Sequence, residues 1–253
     1  MPIEKPDPPP WIAGLPKDAW GFPVPAEARW LDGVPLLSTY DRTRAVALVT
    51  QRACAVCGFE IPHDSLFYRA WDHTTADDIR AFGRKRSYDD AGPCHLSCIV
   101  YSAIVCPHLN NERAHLNKDR RLSPGAKRGL TAAIIGFARS GLLIPDPRKH
   151  PLSPYFPYPL IAFVGVTTDF TYRNGSELHQ LLSEAIALDS SIIDTSKPRC
   201  FWRDSPDEID AVLDAAEHGT RELMGSKEPD YSTEIELTAP DSRYVNSYCA
   251  YLV

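Results

Sequence analysis

The strongest constraint on this chain is a set of four soft donors at two fixed spacings: Cys54-Ala-Val-Cys57-Gly58 and, further along, His95-Leu-Ser-Cys98. A C-x2-C turn points two thiolates at one spot, and glycine directly after the second cysteine permits the tight turn. His95 and Cys98 stand three apart where Leu96, Ile99, Val100, Ala103 and Ile104 recur at helical spacing, so the two share a helix face. Such a donor set suits closed tetrahedral zinc. Cys94 offers an alternative third ligand, giving a C-x3-C second pair. A single buried cysteine is an ordinary small hydrophobe; three with a histidine at these spacings are not explained that way. A site closed by four protein donors has no open position, so its expected role is stability, on the order of 10 kcal/mol of folding free energy. A knuckle, a strand-containing insert and a ligand pair at a helix start together have the layout of a treble-clef finger.

Cysteine usage depends on compartment. No stretch reaches the roughly 18 consecutive apolar residues of a membrane span. The N-terminal MPIEKPDPPPWIAG has no basic and then apolar region of a secretory signal. The expected location is therefore the cytoplasm, where thiols stay reduced, and the seven cysteines read as ligands or free thiols rather than a disulfide framework. The net charge of −6 argues against a chain that coats nucleic acid. Yet residues 80–128 hold ten basic and four acidic side chains, a local +6 that leaves −12 for the remainder. This segment brackets the second ligand pair. It is either a solvated face or a surface for a protein or nucleic-acid partner.

Twenty-three prolines divide the chain. Residues 1–10 form a proline-rich leader and 143–159 a proline-rich connection, through which no helix runs. Between them, 11–142 reads as a zinc-binding domain, and 160–253 as a small α+β region that can pack with it as one unit. Asp41 caps a helix carrying Ala45, Val46, Leu48 and Val49, and Leu66 to Trp71 reads as a strand. Ser123 and Pro124 predict the start of an apolar helix ending near Gly141. Beyond the connection, Leu160 to Val166 reads as a buried strand. Ser176 and Glu177 open a helix, and Cys200 to Trp202 suggests a short strand. Ser205 and Pro206 start a helix with Ile209, Val212, Leu213 and Ala216 on one face, ending at Gly219. The tail from Tyr244 to Leu252 fits a helix weakly. The fold class expected is α+β.

Other residues carry weaker chemical signals. Cys106-Pro107-His108 is a Cys-Pro pair, which can present a thiolate to haem iron; the plainer reading is a thiol ending a helix before proline. Cys106, His108 and His115 also admit a second metal site. His63-Asp64 and Asp72-His73 make His63 and His73 candidates for acid–base work, although adjacent residues do not usually face each other. The acidic residues Asp204, Asp207, Glu208, Asp210 and Asp214 lie at the start and polar face of a helix, where carboxylates complement its dipole. No phosphate-binding loop, dinucleotide fingerprint, nucleophile elbow or H-E-x-x-H motif is present.

Read in order, Trp20-Gly21-Phe22-Pro23-Val24-Pro25, Asp32-Gly33-Val34-Pro35, the C-x2-C-G knuckle, His95-x-x-Cys98-x-x-Tyr101 and Cys106-Pro107-x-Leu109 resemble an uncharacterised zinc-finger-like family of actinobacteria and their phages. The resemblance covers about residues 10–110 and extends to Phe201-Trp202-Arg203 and the helix that follows. It implies His95 rather than Cys94 as the third ligand and carries no activity. The insert between the ligand pairs departs from the family, with Asp72, His73, Asp77, Asp78 and Arg84-Lys85-Arg86 in place of an apolar strand. Two functions are then expected: a zinc-stabilised binding or regulatory module, or a metal- or haem-dependent enzyme with Cys106 and His108 near its reactive centre.

Overall fold

The computed structural model describes residues 5–81, 86–89, 91–112, 129–145, 159–226 and 248–253. The fold is α+β, built on antiparallel strands with helices on both faces. After the short helix α1 (Pro10–Ala13), strands β1 (Ala28–Leu31) and β2 (Val34–Tyr40) form a two-stranded sheet. Asp41 caps α2 (Arg42–Thr50) as expected, its carboxylate accepting from the N–H groups of Thr43 and Arg44. The insert follows as β3 (Phe67–Asp72), α3 (His73–Ala81) and β4 (Arg86–Asp89), and then α4 (Leu96–Val105).

The main sheet is organised by two long strands, β5 (Ala132–Pro145) and β6 (Leu160–Tyr172), paired antiparallel from Ala132–Tyr172 to Leu143–Leu160. Its order is β3-β5-β6-β4. β7 (Tyr248–Leu252) pairs with the far end of β5, beyond β3 on the same edge. The insert strands β3 and β4 are not neighbours; each pairs with a strand from beyond α4. Residues 143–145, expected in the proline-rich connection, are instead the end of β5, so the connection joins two strands that run side by side in one sheet.

The apolar run up to Gly141, expected to be a helix, is a strand instead. Its side chains alternate between two cores: Ala132 and Ile134 face one, Ala133, Ile135 and Phe137 the other. That period of two, with ladder partners on both edges, outweighs the helical spacing read from the sequence. Ser123 and Pro124 lie outside the described residues. The end of the tail is likewise a strand, β7, paired to β5; Tyr244 lies outside the described residues. Cys200 to Trp202, expected as a short strand, is not one.

After a 3-10 turn (Gly175–Leu178) come α5 (His179–Asp189) and α6 (Pro206–Ser226). α6 begins at Pro206 as expected and continues past Gly219. A side-chain carbon at Gly219 would lie 2.3 Å from Oγ1 of Thr50, so this glycine is what lets α6 cross α2 closely. The buried face of α6 is Val212, Ala216 and Leu223, whereas Ile209 and Leu213 are 41% and 50% exposed. No helix among the described residues is long and apolar enough to cross a membrane.

Candidate metal centre

Backbone geometry builds the first half of the site. The knuckle is closed by hydrogen bonds from Cys54 N–H to Phe59 O and from Gly58 N–H to Cys54 O, both 2.8 Å. Gly58 has φ +75°, and a side-chain carbon there would meet the Cys200 carbonyl oxygen at 2.2 Å. Only glycine satisfies both conditions. The Cys200 N–H returns a 2.8 Å bond to Gly58 O, so the segment before α6 lies across the knuckle.

The second half is the start of α4. His95 is its N-cap residue and Cys98 lies in its first turn. Cys94 pairs with Tyr68 through two 3.0 Å backbone bonds, and Ala55 N–H reaches Pro93 O at 2.8 Å. These bonds hold the two ligand pairs against each other. Glu27 adds a clamp: its N–H bonds Ala55 O at 3.0 Å, and its carboxylate accepts from Gly92 N–H at 2.8 Å.

Cys54, Cys57, His95 and Cys98 are buried, and their ligand atoms all lie within 4.8 Å of one another. Nδ1 of His95 is 3.4 Å from Cys57 Sγ and 4.0 Å from Cys98 Sγ. Bonds of about 2.0–2.3 Å in a tetrahedron have edges near these lengths. Nε2 of His95 lies 3.0 Å from the Glu60 carbonyl. It donates there, which leaves the Nδ1 lone pair facing the three sulfurs, the arrangement expected of a metal-bound histidine. The residues therefore fit a metal ion. Among the described residues they are the one group of three or more such donors close enough to hold one.

The charges point the same way. Burial pushes the Cys54 thiol up, yet hydrogen bonds from Cys57, Cys94 and Cys98 and the nearby His95 carry it well below the ordinary cysteine value. Burial opposes a charged His95 as well, but the Cys54 thiolate holds that ring well above its usual range. Cys57 and Cys98 are pushed up, first by burial and then by bonding to Cys54. A divalent cation binds thiolates and neutral imidazole, so its entry expels protons.

Cys94 is the neighbour of the set and not a member. Its thiol is raised first by a hydrogen bond to Cys54 and then by burial. Cys106 is the C-cap of α4, its N–H bonded to Ser102 O at 2.8 Å, and neither it nor His108 belongs to the four-donor group. His115 lies outside the described residues. His63 and Asp64 sit exposed in a turn. His73 does not pair with Asp72, which instead caps α3 through Thr75 N–H at 2.9 Å. Its partners are Thr131 and Asp77. Of the basic segment, 82–85 and 113–128 fall outside the described residues, and Arg80 is engaged by Asp77 and Asp169.

Two supports of the site carry no sequence signal. Asp189, at the end of α5, accepts from Ser97 N–H at 2.7 Å and Ser97 Oγ at 2.5 Å, capping α4 from across the fold. Trp11 Nε1 donates to the same hydroxyl at 3.2 Å. Arg69 holds Asp89 at 2.8 Å and Glu27 at 3.6 Å. Compared with known protein families, curated proteins and solved structures, the chain matches none.

Proposed function

We propose that the chain is a zinc-stabilised binding or regulatory module with a treble-clef-like knuckle, working in the cytoplasm, and related to the actinobacterial and phage zinc-finger-like family. The observation that carries this reading is the closed donor set: three buried cysteines and His95 Nδ1 converge, with Nε2 already bonded to Glu60. Such a set has no position left for a substrate, so zinc here holds the fold. Three sulfurs and one imidazole favour zinc over harder cations.

The partner is a protein or a nucleic acid, met through the basic segment 80–128. The net charge of −6 favours a protein over a nucleic acid. The deciding experiment purifies the untagged chain and measures its metal content and visible spectrum, followed by nucleic-acid binding across a salt series. One zinc per chain, no visible absorbance and no salt-dependent nucleic-acid binding is the expected result. A haem Soret band would overturn the reading in favour of an enzyme centred on Cys106. Affinity falling steeply with salt would make the partner a nucleic acid.

A further inference from the structure

The α3 side of the main sheet carries a second set of reactive groups, which shares no residue with the metal centre. Thr131 stands just before β5, and its Oγ1 lies 2.8 Å from Nδ1 of His73. Nε2 of His73 is 3.3 Å from Oδ2 of Asp77, one turn along α3. The other oxygen of Asp77 accepts from Nη1 of Arg80 at 3.0 Å. Arg80 is anchored on β6: Nε and Nη2 donate to the two carboxylate oxygens of Asp169 at 2.6 and 2.7 Å, and Nη2 reaches Thr171 Oγ1 at 2.6 Å.

The hydrogen-bond network assigns the protons. An ionised Asp77 only accepts, so Nε2 of His73 carries the ring hydrogen and Nδ1 presents its lone pair. The Thr131 hydroxyl then donates to Nδ1. A hydroxyl on a base, with the base oriented by an acid, is the arrangement of an activated nucleophile. The ring is turned the other way from the serine-protease case, in which Nε2 faces the nucleophile. Arg80, bound at both ends, fixes the acid, which is the support that precise sites require. Gly129 brings the chain in: it has φ +84°, and a side-chain carbon there would fall 2.6 Å from Cβ of His73. The site is also open to reagents. The His73 and Asp77 side chains are 42% and 50% exposed, and Thr131 is half-buried.

We propose that Thr131 is a nucleophile activated by His73, with Asp77 and Arg80 as positioning residues, and that it takes acyl groups from activated esters. Thr131 Oγ1 attacks the acyl carbon and its proton passes to Nδ1 of His73. The bond from the acyl carbon to the leaving oxygen breaks, and the alcohol departs with that proton. The product is an acyl ester on Thr131. Water, deprotonated by His73, repeats the exchange to release the acid and restore the hydroxyl. This activity goes beyond the binding-module reading and stands or falls independently of it.

The test uses the full metal-loaded chain and p-nitrophenyl acetate, following p-nitrophenolate release and mapping acetylated peptides by mass. The expected result is acetylation at Thr131 in the wild type. It persists in Thr131→Ser, vanishes in Thr131→Val, and slows at least about 100-fold in His73→Gln, in line with general-base assistance. Asp77→Asn slows it less. Circular dichroism checks that each variant folds; if His73→Gln does not, the Ser and Val variants at position 131 decide. A wild type that stays unlabelled at Thr131 even when quenched in acid during the first turnover, or a folded Thr131→Val that releases nitrophenolate at the wild-type rate, overturns the proposal. A network that served structure alone would give that outcome.

Discussion

The two faces of the main sheet are packed by different physics. On the metal side, the core joins α1, the knuckle, α4 and α5, and polar atoms lie inside it: the four ligands, Ser97 and Asp189. On the other side, α2, α3 and α6 close over an aromatic trio, with Phe163 at 5.8 Å from Trp71 and 5.2 Å from Phe137 between ring centroids. The rings close this core by mutual contact, and Trp71 Nε1 is buried there without a hydrogen-bond partner among the described residues. The metal side gathers four buried donor atoms within 4.8 Å of one another, a set that could hold an ion. On the proposed reading, one face is conditional on a bound ion and the other rests on aromatic packing.

The largest expected effect breaks the conditional face. Removing the metal with a chelator, or substituting Cys98→Ser, should cost on the order of 10 kcal/mol of stabilisation. Hydrogen exchange should rise first in residues 53–60 and in α4, while β5 and β6 keep their protection longer. Simultaneous loss of protection in all of them would show that the two faces melt as one unit. Next comes Phe163→Ala, which opens the aromatic trio and should cost about 3–5 kcal/mol in denaturant unfolding. Its metal content should stay at the wild-type value. Loss of metal in that variant would contradict the independence of the faces.

Asp189→Ala tests the polar support of the metal face. It leaves Ser97 N–H buried and unpaired at the start of α4, at a cost of about 1–3 kcal/mol. Weaker metal retention in a chelator competition should accompany that loss, because α4 carries two of the ligands. A destabilised protein that holds its metal as tightly as wild type would separate Asp189 from the site.

These supports mark where reading the sequence stops. The knuckle, the His95–Cys98 pair, the Asp41 cap and the Ser205–Pro206 helix start are legible because each depends on neighbours within a few residues. The strand identity of residues 132–145 is not. An apolar run with glycines at 136 and 141 suits either period, and only pairing with β3, β6 and β7 decides it. Gly219 reads as a stop until α2 lies against it. Asp189 and Ser97 are 92 residues apart, and Thr131 and His73 are 58 apart. No local pattern announces such partners, because the sheet brings them together.

The smallest effect expected is a pH slope from Glu27, beside the metal face. Burial pushes its carboxyl up to about 7, and Arg69 offsets this only in part. The folded state therefore binds the proton more tightly than the unfolded chain, whose carboxyl has an ordinary value of 4.5. The contribution of Glu27 is intact below that ordinary value and is lost as pH rises towards about 7. Glu27→Gln keeps a carbonyl oxygen for Gly92 N–H but cannot ionise, so it lacks this slope. Denaturant unfolding of both metal-saturated proteins between about pH 5 and 8 should show the wild type losing on the order of 2 kcal/mol relative to the variant. A difference that stays flat with pH would mean that Arg69 and the Gly92 N–H hold Glu27 ionised throughout, and that the metal face tolerates a buried charge without cost.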